Sequence, residues 1–226
     1  YSDVVWDNTA MLATEAQIAA LIELFHTGSR QEFTKGEFIV RPGQTLPGVY
    51  YIESGLVKAY DITKYGEENL LIIRHGGELL GMTWALAGRE REIIYTALAP
   101  TAVWLISLDT FKNHMHTNPE AAVPVISILA DMFRLHGERI MTLEYRTVRE
   151  RLASFLLGMA ERFGVDSDIG LKIDVPLRHQ DIASSISATR ETTSRTLSEL
   201  ERKGIIRNEQ SHIIILNRDA LSDFIE

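Results

Sequence analysis

The sequence predicts an α+β fold: a β-rich first half, one long helix, and a compact head in which two short helices precede a β-hairpin. Three observations predict it. Between Gln31 and about Leu108, short β-branched and aromatic runs are broken by glycines at Gly43, Gly55, Gly66 and Gly76-Gly77, each a turn position. From Asn118 the apolar spacing becomes helical. Between Arg178 and Lys203 two helical patterns are joined only by Ser187-Ala188-Thr189, and Gly204 then leads into two isoleucine runs.

Composition sets the outer bounds. A chain of 226 residues forms one large domain or two ordinary ones, and at 45% hydrophobic residues with no apolar run of eighteen it reads as globular without a membrane span. The absence of cysteine removes disulfides, thiolate zinc sites and cysteine-ligated iron–sulfur clusters, and fits a cytoplasm. The sequence starts at Tyr1 rather than Met, which leaves room for preceding residues and a targeting signal in them. A net charge of −8 argues against nucleic-acid binding by the whole surface, but six cations against four carboxylates leave Arg178 to Arg207 locally positive by two. An acidic body with a basic head repels a duplex everywhere except where the head docks.

The elements follow in order. Ile18, Leu21, Ile22 and Phe25 form the stripe of a packing helix that stops at Gly28. Strands are expected at Val49 to Glu53, Leu56 to Asp61, Leu70 to Arg74 and Val103 to Ser107, a pattern of a small β-sandwich or barrel able to enclose a ligand. In the long helix, Ile126, Leu129, Phe133, His136, Ile140 and Leu143 recur at alternating three- and four-residue steps, the spacing of a coiled-coil seam. An identical helix is its simplest partner; the alternative is burial against the β-rich half. Thr147 and Glu150 form a capping box that restarts a helix, so the hinge is placed at Thr147. That helix ends near Gly164, Leu171 to Val175 is a short strand, and Arg218 to Ile225 a closing helix.

In the head, Ile182 and Ile186 repeat four apart around the small Ala183, and Thr189 is the N-cap of the second helix. Arg190, Glu191, Ser194 and Arg195 share one polar face of that helix, opposite Thr193, Thr196, Leu197 and Leu200. Two tightly linked helices with this face describe a helix-turn-helix whose second helix enters the major groove, where an arginine fork bonds guanine O6 and N7 and a glutamate accepts from cytosine. An ordinary helical hairpin with a solvated charged face is the bland alternative. The hairpin formed by Ile205-Ile206 and Ile213-Ile214-Ile215 completes a winged-helix arrangement and favours DNA.

Further residues carry a family resemblance. Lys35-Gly36-Glu37, Gly43, Tyr50-Tyr51-Ile52, Gly55, Gly66-Glu67-Glu68 and Gly76-Gly77-Glu78-Leu79-Leu80-Gly81 resemble the glycine framework of the cyclic-nucleotide-binding β-roll, and Ala188 to Leu197 resembles the recognition helix of the same family. Nearly the whole chain is thus similar to a Crp/Fnr-type transcription regulator: residues 1–118 a β-roll (double-stranded β-helix) sensor domain, 119–146 a dimerisation helix and 147–226 a winged helix-turn-helix DNA-binding domain. The resemblance implies base reading by Arg190, Glu191, Ser194 and Arg195, and phosphate contacts by His179, Gln180, Thr189 and Thr192. Arg190 is similar to the cyclic-AMP receptor branch and Glu191, Ser194 and Arg195 to the oxygen-sensing branch, so the half-site resembles TGTGA or TTGAT. It also implies a bacterial cytoplasmic homodimer on palindromic double-stranded DNA, with RNA polymerase as partner and no membrane.

The expected effector pocket departs from the family pattern. Where cyclic-AMP receptors carry a Gly-Glu-Leu for the ribose and an Arg-Ser for the phosphate, this chain has Gly81-Met82-Thr83 and Arg91-Glu92, and the adenine-contacting pair aligns with His136-Gly137. Met82 offers no acceptor, and the Glu92 carboxylate opposes a phosphate. Cyclic AMP is disfavoured. Met82, Thr83, Trp84 and Leu86 with Arg91 instead suit a hydrophobic or aromatic acid, as in the family's halo-aromatic sensors; alternatively, Trp84 and Leu86 only fill the roll and the regulator needs no effector. His75, His114, His116 and His136 lack the spacing of a metal set, so neither metal nor haem is expected. No nucleophile–base or paired-carboxylate constellation marks an enzyme. The remaining alternative is a ligand-binding β-roll that uses its winged helix for protein contacts.

Overall fold

A computed structural model describes residues 13–88 and 92–225. They divide into two compact units, one holding the described residues up to Asp61 with Leu71–Leu135, the other holding Ile62–Leu70 with His136 onward. The elements run α1 (Glu15–His26), β1 (Ser29–Phe33), β2 (Phe38–Val40), β3 (Gly48–Ser54), β4 (Leu56–Ile62), β5 (Glu68–His75), β6 (Leu79–Leu80), α2 (Met82–Ala87), β7 (Ile94–Ala97), β8 (Thr101–Ser107), α3 (Leu108–Thr117) and α4 (Ala122–Tyr145). There follow α5 (Val148–Phe163), β9 (Gly164–Ser167), β10 (Gly170–Ile173), α6 (His179–Ser185), α7 (Arg190–Arg202), β11 (Ile206–Glu209), β12 (His212–Ile215) and α8 (Arg218–Ser222).

In the first unit eight strands form two four-stranded sheets, ordered β1-β8-β3-β6 and β2-β7-β4-β5. Strand β3 explains why the sequence there is apolar without alternation. Its successive side chains point to opposite faces: Tyr50 and Ile52 join Val40, Val57, Ala59 and Tyr95 in one core, whereas Val49 and Tyr51 join Phe25 of α1, Phe111 of α3 and Val125 of α4 in another. Both faces of this sheet are therefore buried, and a double-sided strand needs no polar stripe. Burial pushes the Tyr50 hydroxyl up to about 12, so it stays neutral. Gly55 makes the β3–β4 turn at φ +97°, where a Cβ would stand 2.5 Å from the Pro100 carbonyl oxygen.

The second unit is built around α5. Its buried residues Leu152, Leu156 and Phe163 share the interior with Ile173, Ile182, Ile186, Leu197, Leu200 and the isoleucines of β11 and β12. The Thr147 side chain accepts from the Glu150 backbone N–H while the Glu150 carboxylate accepts from the Thr147 N–H, the capping box expected from the sequence. Those bonds hold the Glu150 carboxyl below its ordinary range, the backbone bond being the larger cause. The helix does end at Phe163, but Gly164–Ser167 then pairs with β10 rather than running on as loop, and the wing is a four-stranded antiparallel sheet, β11-β12-β10-β9. Alternation does not announce β9, because its Asp166 and Ser167 are exposed.

Thr193 lies fully buried on the inner face of α7 with no hydrogen-bond partner for its hydroxyl. An unpaired buried hydroxyl costs about 1–3 kcal/mol. Thr193→Val, similar in shape, is therefore expected to raise the urea midpoint of this unit by the equivalent of about 1 kcal/mol. Thr147→Ala, which removes a cap, is expected to lower it by about the same amount.

Candidate nucleic-acid interface

The recognition face starts from how α7 is held. Thr189 is its N-cap, in extended geometry, and its hydroxyl accepts from the Thr192 N–H at 3.1 Å and donates to the Thr192 hydroxyl at 2.9 Å. The Thr189 hydroxyl thus both donates and accepts within the protein, while the Thr192 hydroxyl keeps its own proton. At the far end, Glu199 bonds Arg149 of α5 at 2.7 Å and Lys203 at 3.2 Å, and both cations stand over the Phe224 ring, at 5.9 and 5.3 Å. The bond from Lys203 comes first among the causes that depress the Glu199 pKa.

With α7 fastened at both ends, its faces separate cleanly. Thr193, Thr196, Leu197 and Leu200 are buried, while Arg190, Glu191 and Arg195 are exposed together on the opposite side. Ser194 is half-buried. Its Oγ lies 2.8 Å from Nδ1 of His179 on α6, and Nε2 of the same ring lies 3.2 Å from Nδ2 of Asn208 on β11. His179, expected to meet phosphate, joins both helices to the wing. Gln180 is half-buried beside it on α6. Ahead of α6, Arg178 bonds the buried Asp181 carboxylate through Nε at 2.8 Å, and this partner above all raises the guanidinium pKa further.

The turn between α6 and α7 carries Ser187 at φ +49°, a left-handed conformation. Arg151 of α5 donates to the carbonyl oxygens of Ile186 and Ser187 at 2.9 and 3.5 Å and so ties the turn to the core. Neither Arg151 nor Asn208 is singled out by the sequence pattern, since each acts across more than twenty residues of chain.

The expected effector residues do not form one wall. Met82 is buried in the core that contains Phe25 and Phe111, Trp84 packs against the other core beside Tyr50 and Tyr95, and Thr83 and Leu86 are exposed. Successive positions of a six-residue helix point in different directions, which an alignment of letters does not convey. Glu92 and His136 are exposed, and Arg91 lies outside the described residues. On α4, Ile126, Phe133 and Ile140 are 52, 82 and 60% exposed, whereas Leu143 is half-buried and Leu129 packs partly against the β-roll core. Met141 and Tyr145, not assigned to the seam, are exposed as well. His75 bonds the Gly76 carbonyl and His114 faces Asn118; among the described residues no three His, Asp or Glu gather as for a metal, and no helix is long and apolar enough to cross a membrane.

A β-roll joined through a long helix to a winged helix-turn-helix defines a DNA-binding transcription regulator, not an enzyme. Family models agree: the cyclic nucleotide-binding domain matches residues 30–118 and the Crp-like helix-turn-helix domain residues 150–224. The global nitrogen regulator of Synechococcus elongatus is 30% identical over 218 residues, 94% of this chain and 98% of that protein. The fumarate and nitrate reduction regulatory protein of Escherichia coli is 25% identical over 193 residues, 85% of this chain and 77% of that protein. The structure of FixK2 from Bradyrhizobium japonicum shares the fold with a TM-score of 0.75 at 24% identity, covering 88% of this chain and 98% of that one. The chain belongs to the Crp/Fnr family of transcription regulators.

Because Arg195 is exposed on the recognition face and spends no ion pair among the contacts of α7 described above, Arg195→Ala is expected to cost about 1–3 kcal/mol of operator affinity. If the exposed face of α7 reads bases, a randomised-site selection shows the loss at a single base pair, with the others unchanged.

Proposed function

We propose that this regulator works as a homodimer on palindromic DNA with TGTGA- or TTGAT-like half-sites. The carrying observation is the separation of faces on α7, with Arg190, Glu191 and Arg195 exposed together and the reverse side buried. Arg190, Glu191, Ser194 and Arg195 read bases, and His179, Gln180, Thr189 and Thr192, near the starts of α6 and α7, contact phosphates. Residues 1–118 serve as sensor domain, 119–146 as dimerisation helix and 147–226 as DNA-binding domain, with Thr147 as hinge. RNA polymerase is the partner and the cytoplasm the place of action.

The dimer is supported by Ile126, Phe133 and Ile140, exposed apolar residues seven apart on α4. A seven-residue repeat stays on one face of a supercoiled helix, and a second copy presents the same stripe. A two-fold dimer spaces two recognition helices about 34–36 Å apart, one turn of DNA, and so calls for a palindrome.

The effector is a small molecule other than cyclic AMP. Met82 provides no acceptor for a ribose and is committed to a core, and the exposed Glu92 adds negative charge where a phosphate is expected. The packing of Trp84 against the β-roll core supports a second reading, a regulator that needs no effector. Thermal unfolding separates the two: candidate aromatic acids raise the melting temperature if they bind the folded form, and leave it unchanged if nothing binds. Cyclic AMP at millimolar concentration is expected to leave it unchanged.

The assembly is tested by Phe133→Glu, which places a charge at the centre of the stripe. Sedimentation is expected to show a monomer, and a gel shift on a full TGTGA or TTGAT palindrome a loss of at least tenfold in affinity. A dimer that survives the substitution would exclude this seam.

A further inference from the structure

We infer that Asn208, on the wing, sets the base preference of Ser194 through the His179 imidazole, which makes Asn208 and His179 positioning residues for sequence readout. The inference rests on the proposed reading of DNA by the exposed face of α7. It follows from which atoms can donate. The Asn208 Nδ2 facing Nε2 of His179 at 3.2 Å carries only donor hydrogens, so Nε2 is the acceptor of that contact. A neutral imidazole that accepts at Nε2 bears its proton on Nδ1. That proton is donated to Ser194 Oγ, 2.8 Å away.

Having accepted from the ring, the Ser194 hydroxyl keeps its own proton for the groove. It therefore has a donor to present, suited to guanine O6 or N7, thymine O4 or adenine N7, beside the one lone pair still able to accept. The opposite tautomer would take this donor away: Nδ1 would accept the serine proton and leave Oγ only an acceptor. Whether Ser194 has a donor to offer the groove is thus decided by an amide on another element.

Two further features hold the relay in place. The backbone N–H of Asn208 donates to Glu201 Oε1 at 2.9 Å, fastening β11 to the end of α7, and Asn208 stands opposite Ile213 in the β11–β12 register. Asn208 is itself exposed, so its substitution leaves no hole in the core.

The test uses the full-length protein. Long-range nitrogen–proton NMR on the His179 ring is expected to show the proton on Nδ1; a ring protonated on Nε2 alone overturns the inference before DNA is added. Randomised-site selection is then run on the parent, Asn208→Leu, Ser194→Ala, the double variant and Arg195→Ala. Asn208→Leu is expected to relax the preference at the base pair facing Ser194 by about fivefold, the worth of one hydrogen bond. The same substitution on the Ser194→Ala background should change nothing, because the route is removed. A uniform loss at every position, no change, or an unchanged effect on the Ser194→Ala background overturns the relay. If Arg195→Ala shifts its own base pair while Asn208→Leu shifts none, only the relay fails; if neither variant nor parent shows any base preference, the DNA-reading face itself is misassigned.

Discussion

The helix-turn-helix depends on a backbone conformation that its residue does not favour. At the α6–α7 turn the chain must change direction within the four residues Ile186 to Thr189, and Ser187 takes a positive φ that costs a side-chain-bearing residue about 1–2 kcal/mol. Arg151 supplies the restraint by bonding the two carbonyl oxygens that the reversal leaves pointing at α5. Charge-assisted bonds to a cation are worth more than neutral ones, about 1.5–3 kcal/mol, so the magnitudes match. Beyond that turn, α7 buries Leu197 and Leu200 and exposes Arg190 and Arg195 on the opposite side.

What was legible in the sequence was what is decided locally. The Thr147–Glu150 capping box, the Thr189 N-cap, the two faces of α7 and the glycine turns each depend on residues within about one turn of one another, and spacing alone reveals them. The interface details were not legible, because they join distant segments. The His179 ring lies between Ser194 and Asn208, fifteen and twenty-nine residues further along the chain, and no local spacing announces that contact. Met82 and Trp84 are neighbours in the chain and read as one wall, yet the short α2 sends them to separate cores. Strand β9 escaped notice because an exposed edge strand needs no apolar alternation.

The two units also solve different problems of burial. In the β-roll, a sheet apolar on both faces separates two cores, so adding or removing volume on either side is felt by the same β3 strand. In the winged unit the outer faces stay polar, and a local excess of cations sits in a chain of net charge −8. Association governed by such a patch weakens steeply with salt, whereas selectivity among sequences, carried by base-edge contacts, weakens much less.

The clasp at the far end of α7, where Glu199 bridges Arg149 and Lys203 above Phe224, has a mechanical consequence. A thirteen-residue helix is a rod about 20 Å long, so a tilt of about 10° swings its unheld end by roughly 3.4 Å, the rise of one base pair. Supported only at the turn, α7 would behave as a cantilever free to tilt in this way. The clasp gives α7 a second support against such a tilt.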